Sequence, residues 1–323
     1  MAAAAFMLGL ATAAHAADPD WLKSPRKPLG EITVGFANLG PGVNAYSATY
    51  TKVFNQYAKE LGIKTVVLDS QADAAKQASQ ITDLIAQQVD SMVVWPVNGK
   101  GVVPFVKRAY QAGIPVIITN SNIDPSGAKY ITAYTGPDDY HEANLAGKMM
   151  VDALHGQGNV VMLNGIPGYT VTQLRINGFT DAVKDHPGIK IIDSQPAYFS
   201  QEKAQTLMEN YITHYGNKID GVFSVDSGVG AGALSAVQAA EAEGKLKKGH
   251  VQMVDATIFG GVYDAIKAGS YYGSVVQSPE DDAKTALRTA VMAAEGMSVP
   301  KEVFLPMPIV TSATIGNVAR PSF

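Results

Sequence analysis

From residue 32 almost to its end, the chain alternates short β-branched runs with longer segments of helical period. That order restricts the fold more than any single motif does, because neighbouring parallel strands cannot be joined by a tight turn and need a crossover, usually a helix. The strand-like runs are ITVGFA (32–37), KTVVLD (64–69), SMVVWP (91–96), IPVIIT (114–119), NVVMLN (159–164), IKIIDS (189–194), DGVFSV (220–225), VQMVD (251–255) and YYGSVVQ (271–277). Between most of them lie stretches such as YTKVFNQYAKELG, in which Val53, Phe54, Tyr57 and Leu61 share one face and Gly62 supplies the stop. The expected fold is α/β, with doubly wound parallel sheets. Nine strands crowd one small sheet, 323 residues suffice for two domains, and AYTGPDDYHEANLAGK near residue 136 reads as a passage between two sheets.

The first residues, MAAAAFMLGLATAAHA, form an apolar run too short to span a bilayer and close on Ala14-His15-Ala16, a small-x-small pattern. The expectation is a secretory signal cut after Ala16, with residues 17–30 as a polar, proline-bearing linker; the competing reading is a disordered or helical extension. Hydrophobic residues make up 46% of the chain and charged ones 17%, as in a compact soluble protein. A net charge of -4 gives no basic field for nucleic acid. The absence of cysteine removes thiol catalysis, cysteine-rich zinc sites and disulfides together.

In open parallel sheets, ligands gather at the carboxyl ends of the strands. The residues expected there are Asn38, with Asn44 and Tyr46 beyond the glycine-rich loop, then Trp95 and Asn120 with Ser121. In the second half they are Tyr169, Gln173, Arg175, Phe199, Asp226, Asp255 and Gln277. Amides, carboxylates and aromatic rings suit a neutral polyhydroxylated ligand, since hydroxyls donate and accept while ring faces cover C–H patches.

With these residues in place, the chain from about 30 to 311 resembles the periplasmic sugar-binding proteins of ABC importers, of the ribose and galactose type. The clearest stretches are TVVLDSQADAAKQASQITDLIAQQVDSMVVWPVN, AYQAGIPVIITNSNID, GFTDAVKDHPGIKIIDSQPAYFSQEKAQTLMENYI, GALSAVQAAEAEGK and GSVVQSPEDDAKTAL. The resemblance implies two similar lobes, 31–136 with 278–306 and 137–277 with 307–323, joined by a three-segment hinge around a ligand cleft. It also implies a periplasmic location, a monomer, a small sugar or polyol as ligand, and an ABC permease or a chemotaxis or sensor receptor as partner. Residue by residue, Asn120 falls where the family often has a hydroxyl-binding Asp, Phe199 where an aromatic stacks on the ring, and Asp226 where Asn or Asp contacts hydroxyls. Asp255 and Gln277 match the hinge-side pair. Ser121 and Gln173 stand where ribose binders carry arginines, with Arg175 two residues further on, so directed guanidinium forks are missing and ribose itself is not expected.

Two other functions compete. Gly228, Gly230 and Gly232 follow a strand and open a helix, the setting of a dinucleotide-binding turn in an NAD-dependent oxidoreductase, but their GxGxG spacing differs from GxGxxG and Asp226 would meet the pyrophosphate. A repressor core of the same architecture would need a helix-turn-helix, and none precedes residue 30. His141-Glu142 lacks the second histidine of a zinc motif, with Leu145 in its place, and reads as a surface helix start; no metal or cofactor is expected. Asp138-Asp139 and Glu280-Asp281-Asp282 read as acids favouring helix N-termini. Arg175 is expected to reach the ligand or to pair with an acid across the hinge, the pairing being preferred, and Tyr198 to point away from Phe199 along an extended segment.

Overall fold

The computed structural model describes residues 19–23 and 25–323; the expected leader and its cleavage site lie outside them. In chain order the strands are β1 (Thr33–Asn38), β2 (Lys64–Asp69), β3 (Ser91–Val94), β4 (Val116–Thr119), β5 (Ala133–Gly136), β6 (Gln157–Asn164), β7 (Gly188–Pro196), β8 (Gly221–Ser224), β9 (Gln252–Asp255), β10 (Gly273–Val275), β11 (Glu302–Phe304) and β12 (Ile309–Thr311). The helices are α1 (Ala45–Glu60), α2 (Ala74–Ala86), α3 (Val103–Gln111), α4 (Asp139–Ala153), α5 (Thr170–Val183), α6 (Gln201–Tyr215), α7 (Ser227–Ala242), α8 (Gly260–Lys267) and α9 (Pro279–Ala294).

Two sheets result, with orders β2-β1-β3-β4-β5-β11 and β7-β6-β8-β9-β10-β12. Strand for strand the second repeats the first, up to the last position, where β11 joins β5 in parallel and β12 joins β10 antiparallel. The chain passes between the sheets three times: from β5 to α4, from β10 to α9, and from β11 to β12. All nine sequence-expected runs contain strands; β5, β11 and β12 are additional, β5 inside the stretch read as a passage.

Each sheet is covered on both faces, which is why its central strands are apolar throughout rather than alternating. In the first lobe, Phe36, Tyr50, Phe54 and Leu287 fill the face under α1 and α9, while Ile81, Leu84, Met92 and Val106 fill the face under α2 and α3. In the second, Phe179 stacks on Phe223 at 4.2 Å under α4 and α5, and Met208, Val222, Val229 and Ile266 occupy the opposite face.

Candidate functional site

Loops leaving the carboxyl ends of both sheets meet across a cavity of about 260 Å³. That is near the lower bound for small-molecule pockets, roughly 300–1,000 Å³, and matches a single small ring or short open chain. A larger hollow of about 750 Å³ lies on the second lobe beside Gln252, Tyr271 and Thr311, at the amino ends of β9 and β10, and none of the residues expected to bind lines it.

Asn44, Tyr46, Trp95, Asn120, Arg175, Phe199, Asp226 and Gln277 line the cavity. Asn44 caps α1 in a reciprocal pair with Ser47, which fixes the loop before it. Phe199 projects inward from a backbone in the left-handed region at φ 56, next to Tyr198 at φ 59, so the segment is kinked rather than extended, although Tyr198 does face solvent. Gly165 makes room for that ring: a Cβ there would lie 2.3 Å from it. Phe199 meets Tyr169 edge-on at 6.0 Å, making an aromatic corner.

Four expected residues are absent from the cavity wall. Asn38 is buried behind it, donating to Thr51 Oγ1 at 2.8 Å and accepting from the Gly40 amide, so it holds the loop rather than a ligand. Asp255 is inaccessible and accepts from the Ser227 and Tyr271 hydroxyls at 2.8 and 3.0 Å and from Ser274 Oγ; burial pushes its carboxyl up to about 7. Gln173 is exposed on the outer side of α5 and bonds Asn177. Ser121 lies buried beside the cavity. Its Oγ and Trp95 Nε1 make no full hydrogen bond, yet the Tyr169 hydroxyl of the second lobe is near enough that both oppose the rise burial causes in its pKa.

Arg175 is the one cation among the lining residues, and it is already occupied. Its Nε donates to Asp139 at 3.0 Å, Nη1 to the Val225 carbonyl at 2.7 Å, and Nη2 to Gln277 Oε1 at 2.9 Å, with Glu142 2.8 Å from Nη2. Both acids belong to α4, in the same lobe, so the pairing does not cross the hinge as expected. Glu142 is fully buried rather than at a surface helix start. Burial raises the Asp139 carboxyl to about 6 despite the guanidinium, and raises Glu142 as well. Thr257, which sequence reasoning omitted, donates to Gln277 and Glu142 and lines the cavity; its only signal was its place just after β9.

The glycine turn serves packing. A Cβ on Gly230 would lie 2.5 Å from the Tyr271 hydroxyl, and one on Gly232 2.1 Å from the Gln201 carbonyl, so both let α7 press on its neighbours. Asp226 Oδ1 accepts from the Val229 amide at 2.8 Å, filling the place a phosphate would take. Burial raises the Asp226 carboxyl, and Arg175 and the helix amides oppose that rise. The dinucleotide reading is not supported.

The lobes touch at the cavity mouth. Gly99 in the first lies so close to Thr170 in the second that a Cβ would be 2.8 Å from its hydroxyl, and Phe259 packs against the first lobe's core. Two repeated lobes, three crossings and a cavity lined from both lobes define a two-lobe binding protein. The chain belongs to the periplasmic binding protein family, whose domain model matches residues 34–298. It is 32% identical over 254 residues to the galactofuranose-binding protein of Escherichia coli, covering 77% of this chain and 78% of that one. It is 29% identical over 259 residues to the xylitol-binding protein of Mycolicibacterium smegmatis, covering 80% and 72%. A crystal structure of a galactofuranose binding protein superposes with a TM-score of 0.80 at 28% identity, over 88% of this chain and 96% of that one.

Proposed function

We propose that this protein is a periplasmic receptor that captures one small, uncharged sugar or polyol and delivers it to an ABC permease, performing no chemistry of its own. One observation carries the reading: the cavity presents amides, hydroxyls, a capped carboxylate and aromatic edges from both lobes, while its single guanidinium is neutralised by Asp139 and Glu142. An acidic sugar would find no free cation to balance it, and its desolvation would go uncompensated. A neutral polyol exchanges water for paired hydroxyls and loses little. The relatives named for galactofuranose and xylitol favour the same ligand class.

Binding and closure are one equilibrium. Contacts made only when both lobes meet, such as Asn120 from one and Asp226 from the other, stabilise the closed state and shift the population towards it, giving the permease a shape to recognise. Export by the N-terminal leader, with cleavage after Ala16, belongs to this proposal. Titration calorimetry with D-galactose, D-ribose, xylitol and myo-inositol tests it. At least one should bind, and Asp226→Ala should weaken that binding by about 100-fold while the fold persists. Equal affinity in the variant would remove Asp226 from the site.

A further inference from the structure

One buried carboxyl near the cavity has no place in that description. Asp282, in the first turn of α9 just past the second crossing, is completely buried. Its Oδ2 accepts from Asn120 Nδ2 at 2.9 Å and from the Tyr46 hydroxyl at 3.0 Å, and its Oδ1 from Thr119 Oγ1 at 3.3 Å. Asn120 and Tyr46 are cavity-wall residues, whereas Asp282 lies behind them and lines nothing. Asn120 is held in the left-handed region at φ 60, and Gly136 packs so tightly against its backbone that a Cβ there would lie 2.8 Å from the Asn120 nitrogen. With the backbone pinned, the remaining freedom of Asn120 is which end of its amide faces the ligand.

We propose that Asp282 is a positioning residue that fixes the amide of Asn120, and with it the hydrogen-bonding polarity of the first lobe's wall. This rests on the receptor reading of the same cavity. An ionised Asp282 can only accept, so it takes Nδ2 of Asn120 and leaves Oδ1 for the ligand. The same carboxylate takes the Tyr46 proton, so that hydroxyl too is left to accept. The wall then selects ligands that donate hydroxyl protons towards it. A protonated Asp282 can donate to Oδ1, which turns the amide and presents Nδ2 to the ligand instead.

The setting makes that choice sensitive to pH. Tyr46 and Tyr50 of α1, Tyr134 of β5 and Asp139 of α4 are the titratable groups that face Asp282, none of them a cation, and β1, β3 and β4 carry no titratable side chain. Burial therefore pushes the carboxyl up to about 7, against the pull of its three hydrogen-bond donors. Asn120, Tyr46 and Asp282 all belong to the first lobe, so the arrangement does not depend on closure.

Two measurements test the proposal separately from the receptor reading. In ligand-free protein, the side-chain amide resonances of Asn120 should titrate between pH 5 and 9 with the midpoint of the Asp282 carboxyl carbon, and Asp282→Asn should abolish that titration. Tyr46→Phe, which removes one donor, should move the midpoint upward. With whichever of the four probes binds, affinity should change by about tenfold across this range in the native protein, and be weaker and flat in Asp282→Asn. An Asn120 amide that does not titrate, or titrates equally in Asp282→Asn, overturns the proposal whether or not any probe binds. A pH profile of affinity unchanged by Asp282→Asn would also overturn it. Failure of all four probes with the amide titration intact would count against the receptor reading alone.

Discussion

Helices α4 and α9 each follow a crossing, each begins at a capping side chain, and each buries an acid four residues beyond its cap. In α4 the cap is Asp138 and the acid Glu142; in α9 they are Ser278 and Asp282. The surroundings differ. Glu142 has Arg175 at 2.8 Å, whereas Asp282 has only the neutral donors of Asn120, Tyr46 and Thr119. The second lobe thus sets its acids around a fixed guanidinium that opposes the rise burial causes in their pKa values, a structural strut beside the cavity. The first keeps an acid whose charge is weakly supported and whose partners touch the ligand cavity. One repeated architecture has placed the same group at the same position for two different jobs.

Removing the strut is the most severe way to break this comparison. Arg175→Met leaves Asp139 and Glu142 buried without a cation and should cost about 3–5 kcal/mol in urea unfolding. Glu142→Gln leaves Asp139 to balance Arg175 and should cost about 1–3 kcal/mol. Asp282→Asn should raise stability relative to the native protein, by more at pH 8 than at pH 6, because it stands in for the neutral acid that burial favours and orphans no partner charge. Equal losses at 142 and 282 would erase the distinction between the lobes.

A pH series sharpens the same point. The Asp255 and Asp282 carboxyls are raised to about 7 and Asp139 to about 6, all chiefly by burial, while in the unfolded chain such groups titrate near ~4. Between those values the folded protein binds more protons than the unfolded one. Stability should therefore be greatest at low pH within this window, fall as pH rises through about 6 to 7, and level off above. Melting temperatures across this range check the slope, and Asp282→Asn should flatten part of it. The smallest expected effect is at the mouth: a side chain at Gly99 would press on the Asn122 carbonyl of its own lobe as well as on Thr170 of the other, so Gly99→Val should weaken ligand binding by about tenfold and also lower the melting temperature of the free protein.

Much of this was legible in the sequence. Strand β2 falls on the residues its β-branched run marked out, and the spacing of Gly228, Gly230 and Gly232 argued against a phosphate motif, whereas the capping of α7 by Asp226 came only from the structure. The two-lobe order followed from the number of runs and the family resemblance. Strands β11 and β12 escaped because three-residue edge strands carry no period, and β5 because AYTG is followed at once by turn and cap residues that dominate its composition. Site residues divided along a physical line. Most cavity-lining side chains just past a strand end were found, Thr257 excepted, but Asn38 and Asp255, the last residues of their own strands, turned into the core. Arg175 was read as a pair across the hinge because helix-mates on α4 and α5 cannot be matched without tertiary packing. Asp282 was read with Glu280 and Asp281 as an acid favouring a helix N-terminus, and nothing local distinguishes it from Asp281.

The most direct test of the central claim, one small neutral polyhydroxyl ligand held between two lobes, is a thermal-shift panel on ligand-stripped protein. Pentoses, hexoses, inositols, linear polyols, a uronic acid and NAD would each be present at about 1 mM. A micromolar ligand at that concentration stabilises by roughly 4 kcal/mol, enough to move the melting temperature by several degrees. The cleft predicts such a shift for a neutral sugar or polyol and none for the uronic acid or NAD. A shift with the uronic acid or NAD alone would contradict it.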